Sequence, residues 1–274
     1  MSQNRMSLRP TREDWARAAY DLSRGLRAYN LWLLLGFNDI RQRYNRSKLG
    51  QFWITLSMGI FIGGIGIVYS VLFNQPIQEY VPYVAVNITI WTLISGIVGE
   101  SSNVFVQSSI YIRQDAVAKT VFVMRLLVRN IIILGHNLVI IPIAFVCFLV
   151  PPSPVILLFI PGLVIDLAAF FLMTLILGTL ATRFRDLSQI IQNALQLLFF
   201  VTPIMWRTNQ MTEGHERFVR WNPFAALLQI VADPILGHVP PVRTYGVAGA
   251  AFLLLTITAL PLFARFRARL VYWL

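Results

Sequence analysis

Charged residues are scarce in this 274-residue chain. Asp, Glu, Lys and Arg make up 13% of it, about half of the roughly 25% typical of a soluble domain. That is too few to clothe an ordinary water-facing surface. Cysteine is nearly absent as well, and the lone Cys147 excludes a disulfide scaffold. Three widely spaced histidines (His136, His215, His238) offer no metal set. Lysine occurs only at positions 48 and 119, and neither Lys48 nor Lys119 closes a G-x-x-x-x-G-K-[ST] run, so the chain carries no P-loop. The first fifty residues lack the apolar core of a cleavable signal peptide. What remains is 57% hydrophobic residues and a mean hydropathy of +0.65. Disordered and collagen-like readings fail on that apolar content, and the class left is an all-α, multi-pass membrane protein.

About 20 apolar residues are needed to cross a hydrocarbon core of about 30 Å. Runs of that kind predict six spans, at Gln51–Phe73, Val81–Val98, Ile131–Val150, Val155–Leu180, Ile190–Met205 and Val247–Phe263. This divides the chain into a polar segment 1–50, a membrane domain 51–263 and a tail 264–274. The net charge of +11 is read by position. With both ends inside, 19 of the 23 basic residues fall on the cytoplasmic side, whereas Arg207, Arg217, Arg220 and Arg243 lie outside, nearly balanced by acids. Nucleic acid is therefore not the partner that this basicity implies.

Thr11-x-x-Asp14 predicts a helix start. After it Trp15, Ala19, Leu22, Leu26, Tyr29 and Leu33 recur at helical spacing, while Arg17, Asp21 and Arg24 lie off the stripe. An amphipathic helix over Trp15–Leu34 is expected, lying in the headgroup layer among membrane lipids or packed on a soluble partner. In the fifth span Gln189, Gln192, Asn193 and Gln196 share one face. Amides in hydrocarbon either hold helices together or line a wet path for a hydroxylated substrate. Aromatics gather near span ends, among them Trp53, Tyr69, Tyr83, Trp91, Phe199, Phe200, Trp206 and Trp221. Belt anchors and a sugar-conducting lining both fit. Gly59-x-x-x-Gly63, with Gly64 and Gly66, permits close helix approach within or between chains. Stretches at Phe218–Val219 and Ala225–Val231 are expected as short helices at the outer leaflet. Asp166 and Glu100 are acids in or beside spans without an evident carboxylate or histidine partner, so nothing looks catalytic.

Several motifs in order carry a resemblance. Asp39-Ile40-Arg41-Gln42-Arg43-Tyr44-x-x-Ser47-x-Leu49-Gly50-x-x-Trp53 resembles the segment leading into the first span of bacterial polysaccharide ABC exporter permeases, which serve O-antigen, capsule and teichoic acid export. Phe184-Arg185-Asp186, Gln196-x-x-Phe199-Phe200-x-Thr202-Pro203-Ile204-x-Trp206 and Trp221-Asn222-Pro223 resemble that family's later spans. The match runs over roughly residues 30 to 265. It departs from the family at Val121-Phe122-Val123-Met124-Arg125, where many relatives have a Phe-Pro-Arg-like run, and at Ser57-Met58-Gly59, where many have a proline.

The resemblance implies a homodimer of six-span subunits joined to two copies of a separate ABC ATPase. That partner holds the ATP and magnesium, so this chain binds no cofactor. The cargo implied is an undecaprenyl-linked polysaccharide moved across the inner membrane. The interface helix would fall on Trp15–Leu34 and the ATPase-coupling helix on Ser109, Tyr111, Ile112, Arg113, Gln114 and Asp115. The periplasmic gate would involve Gln210–Asn222 with Trp206, Trp221, Asn222 and Pro223. On the residues alone, Arg41, Arg43 and Arg46 either set topology or receive a lipid pyrophosphate. A permease for small lipophilic drugs or lipids is one alternative. A membrane enzyme is the other, but Glu100, Asp115 and Asp186 are a poor acid set for it.

Overall fold

The computed structural model describes residues 10–45, 48–114, 117–207 and 219–274, and every regular element among them is helical. Helix α1 (Arg12–Arg27) opens on the expected capping box. Thr11 Oγ1 accepts from the Asp14 amide at 3.2 Å, and the Asp14 carboxylate accepts from the Thr11 amide at 2.9 Å. The Thr11 amide bond, aided by Arg265, holds that carboxyl below the ordinary aspartate range.

The expected single helix over Trp15–Leu34 is instead two. The chain breaks at Ala28 (ψ 42°) and restarts as α2 (Tyr29–Tyr44). Each piece lays a small residue on α6 (Thr120–Asn137): a Cβ on Gly25 would meet Thr120 at 2.5 Å, and one on Gly36 would meet Val128 at 2.7 Å. The buried line of α1 is Ala18, Asp21 and Gly25, so Trp15, Leu26 and Tyr29 point away from the bundle. Asp21, which lies off the apolar stripe, is 1% exposed. Its carboxylate accepts from the amides of Lys119 (3.2 Å) and Thr120 (3.0 Å), from Thr120 Oγ1 (2.8 Å) and from Arg267 Nε (2.6 Å). One buried acid thus joins α1, the start of α6 and the far end of the chain.

Five helical segments are long and apolar enough to cross a membrane: Phe52–Leu72, Ile77–Ser101, Thr120–Cys147, Pro154–Arg183 and Val242–Trp273. Helix α3 (Phe52–Leu72) is mostly exposed; Gly66 meets Val81 closely, while Gly59 and Gly63 face open space. Helix α4 (Ile77–Ser101) is the hub, buried along most of its length. The short α5 (Ser109–Arg113) follows. The third span begins at Thr120 rather than Ile131, because α6 admits Arg125 and Arg129 by pairing them with acids. It divides after Asn137 and resumes as α7 (Ile140–Cys147). Pro142 lacks the amide that would take the Leu138 carbonyl, which accounts for the break.

A 3-10 turn (Pro154–Leu158) leads into α8 (Phe159–Arg183), and α9 (Leu187–Val201) is the fifth expected span. At 15 residues α9 measures about 22 Å. Helix α10 (Pro223–Ile235) covers the expected short helix over Ala225–Val231 and is buried among the other helices. Pro234 in α10 withholds the amide that would pair with the Ile230 carbonyl. Gly162 of α8 packs onto that oxygen so tightly that a Cβ there would lie 2.3 Å from it. Helix α11 (Val242–Phe266), a 3-10 turn (Arg267–Arg269) and α12 (Leu270–Trp273) complete the chain.

Candidate functional site

The two sides of α4 organise the site. At the end near the termini, α2, α4 and α6 bring five charges into one chain of contacts. Asp39 accepts from Arg125 Nε at 2.7 Å and from Arg129 Nη1 at 3.3 Å. Arg129 Nη2 donates to Glu100 at 2.6 Å, Asn130 Nδ2 donates to the same carboxylate at 3.0 Å, and Arg43 lies 3.7 Å away. Glu100 therefore has its partners, and they are arginines. Half-buried charges survive here because each is matched by the opposite sign and hydrogen-bonded. Arg125 and Arg129, at i and i+4 on α6, were readable only as topology-setting charge; their spacing was the signal that they share a face. Arg43 is half exposed, Arg41 is exposed, and Arg46 lies outside the described residues. Asp166, fully buried in α8, has no partner for either carboxylate oxygen among the described residues.

Above this ionic chain, α4 and α9 form a half-open cleft of about 730 Å³. Trp91, Thr92, Ser95 and Gly99 are on one wall and Gln192, Gln196, Phe199 and Phe200 on the other. Gln192 Nε2 donates to the Gly99 carbonyl at 3.2 Å. The Trp91 and Phe199 rings are 6.0 Å apart, and Phe199 meets Phe200 edge-on at 5.5 Å. Five of the expected lining residues thus converge: Trp91, Gln192, Gln196, Phe199 and Phe200. Gln189 and Asn193 continue the exposed amide stripe and bond each other at 3.1 Å. A smaller cleft of about 390 Å³ lies across α4, toward α3 and α6. It shares Thr92, Gly96 and Glu100 with the first. Gly96 keeps this ridge low, because a Cβ there would meet Asn130 Oδ1 at 2.5 Å.

The remaining expected lining residues lie elsewhere. Trp53 is exposed at the start of α3, outside both clefts, and Tyr69 packs against Phe73 at 5.5 Å. Tyr83 belongs to the opposite end of the bundle, where its hydroxyl donates toward the carbonyls of Pro203 (3.0 Å) and Trp206 (2.8 Å). There a cleft of about 660 Å³ opens between α4, α10 and the segment after α9. Burial pushes the Asp233 carboxyl in this cleft up to about 7.

Of the gate residues, Asn222 and Pro223 start α10. Asn222 Oδ1 accepts from the Phe224 amide at 2.9 Å, and Pro223 takes the first helical position. Trp206 Nε1 donates to the Phe200 carbonyl at 3.1 Å, and Arg243 stacks 4.7 Å over the exposed Trp221. Residues 210–218 lie outside the described residues. In the expected coupling segment, Ser109–Arg113 is helical. Ile112 is fully buried, so the apolar pair facing outward is Ile110 (71% exposed) and Tyr111 (48%). Gln114 follows α5 as its C-cap, Arg113 donates to the Leu274 carbonyl, and Asp115 is outside the described residues.

A multi-pass helical bundle with an amide- and aromatic-lined cleft, and no nucleotide-binding loop in its sequence, defines a membrane transport subunit. The sequence model of the ABC-2 type transporter family matches residues 30–236, and the chain belongs to that family. It is similar to two O-antigen export system permease proteins RfbA of Klebsiella pneumoniae, each 23% identical over 88% of this chain and 93% of the relative. It is also similar to the O-antigen export system permease protein RfbA of Myxococcus xanthus, at 26% identity over 69% of this chain and 74% of that one.

Proposed function

We propose that this chain is the permease of an ATP-driven exporter that moves undecaprenyl-linked polysaccharide, O-antigen above all, across the bacterial inner membrane. Two copies pair so that the half-open clefts enclose one passage, and two copies of a separate ABC ATPase hold the ATP and magnesium. Both termini face the cytoplasm, where Ile110 and Tyr111 dock on the ATPase. Arg41 and Arg43 receive the lipid pyrophosphate. Trp206, Trp221, Asn222 and Pro223 belong to the outer gate.

The observation that carries this reading is the cleft between α4 and α9. Its amides donate and accept hydrogen bonds as hydroxyls require, its aromatic rings offer faces to sugar C–H groups, and a single chain leaves it open along the exposed face of α9. The likeness to O-antigen export permeases supports the cargo class.

The test pairs cross-linking with depletion in native membranes. In a Cys147→Ser background, Leu197→Cys should give a disulfide-linked dimer, because Leu197 is exposed on the α9 face. Depleting the permease should leave lipid-linked polysaccharide on the cytoplasmic side. A chain that never cross-links, or cells whose surface polysaccharide is unchanged on depletion, would overturn the proposal. Loss of a small lipophile from the export products instead would favour the drug or lipid alternative.

A further inference from the structure

The cleft at the end of the bundle opposite the termini is polar in a way that neither packing nor the passage explains. Its two main walls are helical faces. Tyr83 and Asn87 stand at i and i+4 on α4, and Gln229 and Asp233 at i and i+4 on α10. Pro82 on the α4 wall has no amide, so the Gln78 carbonyl one turn earlier lacks its helical donor. Asn87 is 3% exposed; its Nδ2 donates to the Tyr83 carbonyl at 2.9 Å, and its Oδ1 has no partner among the described residues. The Gln229 amide and the Asp233 carboxyl also have no hydrogen-bond partner among the described residues. Gln229 and Asp233 are half-buried, so their polar ends reach the cleft rather than being sealed from water and are available to a ligand. A cleft of about 660 Å³ that gathers them is built to be filled by something that bonds them.

The charges define what that something is. Arg207 is committed: it lies 3.4 Å from the Glu79 carboxylate, donates to the Glu79 carbonyl at 3.1 Å and stacks 5.0 Å over the Tyr83 ring. An anion would therefore meet the Glu79 and Asp233 carboxyls, with His238 the one further basic group among the described residues of the lining. A small cation could take the amide oxygens, but it would find no cluster of three acidic, histidine or cysteine ligands among the described residues and would leave most of the 660 Å³ empty. A neutral ligand rich in hydroxyls satisfies all three groups, since a hydroxyl both donates and accepts. The apolar surfaces of Pro82, Leu236 and Pro241 in the same cleft suit the C–H faces of such a ligand.

We infer that this cleft is a binding station for neutral saccharide, separate from the α4–α9 cleft and at the other end of the bundle. The inference builds on the glycan-export reading and adds to it. A station there engages a stretch of chain that has already left the passage, so that backward slippage between ATP cycles requires breaking bonds to Asn87, Gln229 and Asp233.

The test uses the assembled exporter in lipid nanodiscs and saturation-transfer NMR. The probes are neutral oligosaccharides, released by mild acid from the surface polysaccharide of the producing cells, and oligogalacturonates as an anionic counterpart. Neutral fragments should give transfer signals and the anionic ones should not. Gln229→Leu and Asp233→Leu should each weaken binding by about tenfold, as expected when a hydrogen bond to a buried polar group is lost. Leu236→Trp, which fills the cleft without touching a polar group, should do the same. Monodisperse elution of each variant separates lost binding from lost folding. No signal with the native assembly, equal binding of the anionic probe, or undiminished binding in all three variants would overturn the station. Binding without any effect of permease depletion on surface polysaccharide would spare the station and overturn the export reading.

Discussion

Replacing Asp21 tests the architecture at its most connected point. The carboxylate bonds two amides at the start of α6, the Thr120 hydroxyl and the Arg267 guanidinium, all within 3.2 Å. Asp21→Ala removes a helix cap worth about 1 kcal/mol. It also strands Arg267, whose side chain is 19% exposed. Breaking a fully buried ion pair costs about 3–5 kcal/mol, and partial access to water places Arg267 at the low end of that range. The sum is about 4 kcal/mol, or roughly 10 °C in melting temperature for a chain of this size. Asp21→Asn keeps an acceptor for Thr120 and loses the ionic bond, so it should cost about half as much. Removing the stranded cation should help: Asp21→Ala with Arg267→Ala should be less destabilised than the two single losses added together, by about 2 kcal/mol. Fluorescence-detected gel filtration after heating, in one detergent, gives all four values. Strict additivity, or a melting temperature unmoved by Asp21→Ala, would refute the claim that this acid ties α1 and the C-terminal segment to α6.

Three further outcomes follow from other contacts. Gly162→Ala should destabilise by about 1–3 kcal/mol despite alanine's better helix propensity, because its Cβ would strike the backbone oxygen of Ile230; Gly249→Ala, with open space around it, should not, and heat-inactivation curves separate the two. Ile110→Asp and Tyr111→Asp should abolish copurification of the ATPase while leaving the permease folded, whereas Ile112→Asp should destabilise the permease itself, as gel filtration and pull-down would show. The Asp233 carboxyl, raised to about 7, binds its proton more tightly folded than unfolded. Its contribution is therefore complete below the unfolded value of about 4 and lost as pH rises through 7. Native protein should melt lower at pH 8 than at pH 5 by more than Asp233→Asn does, and parallel pH profiles would contradict this.

Most of the fold was legible because lipid demands long apolar helices, and such runs announce themselves. The third span was misplaced because a window that avoids charge must stop short of Arg125 and Arg129, whereas the helix carries both by pairing them with Asp39 and Glu100, distant in sequence. Asp21 was read only as lying off the apolar stripe, and nothing in the sequence showed what it meets. Periodicity identified the apolar stripe of α1 correctly, but the face that docks on the bundle is the line of small and acidic residues, chosen by backbone approach at Gly25. The amide stripe on α9 was plain at i, i+3, i+4 and i+7, yet nothing in that spacing revealed that Trp91, three spans earlier in the chain, would form the facing wall. Tyr83 looked like the other aromatics at span ends, and its spacing gave no sign that its hydroxyl would hold the carbonyls of Pro203 and Trp206.

These features meet on α4. Its ridge of Thr92, Gly96 and Glu100 separates the two clefts on the side of the termini, and one end of that ridge is anchored through Glu100 to Arg129 and Arg43. Its other end carries Tyr80 and Tyr83, whose hydroxyls hold the carbonyls of Met205, Pro203 and Trp206 just past the end of α9. A displacement of α6 that pulled on Glu100 would therefore be transmitted along a buried, helically rigid rod to the segment just past the end of α9. Helices packed at interior density move as bodies rather than deform locally. From α6 the contacts run through the Arg129–Glu100 pair and α4 to the two tyrosine hydroxyls, so a partner that shifts α6 has a mechanical route to the far end of the bundle.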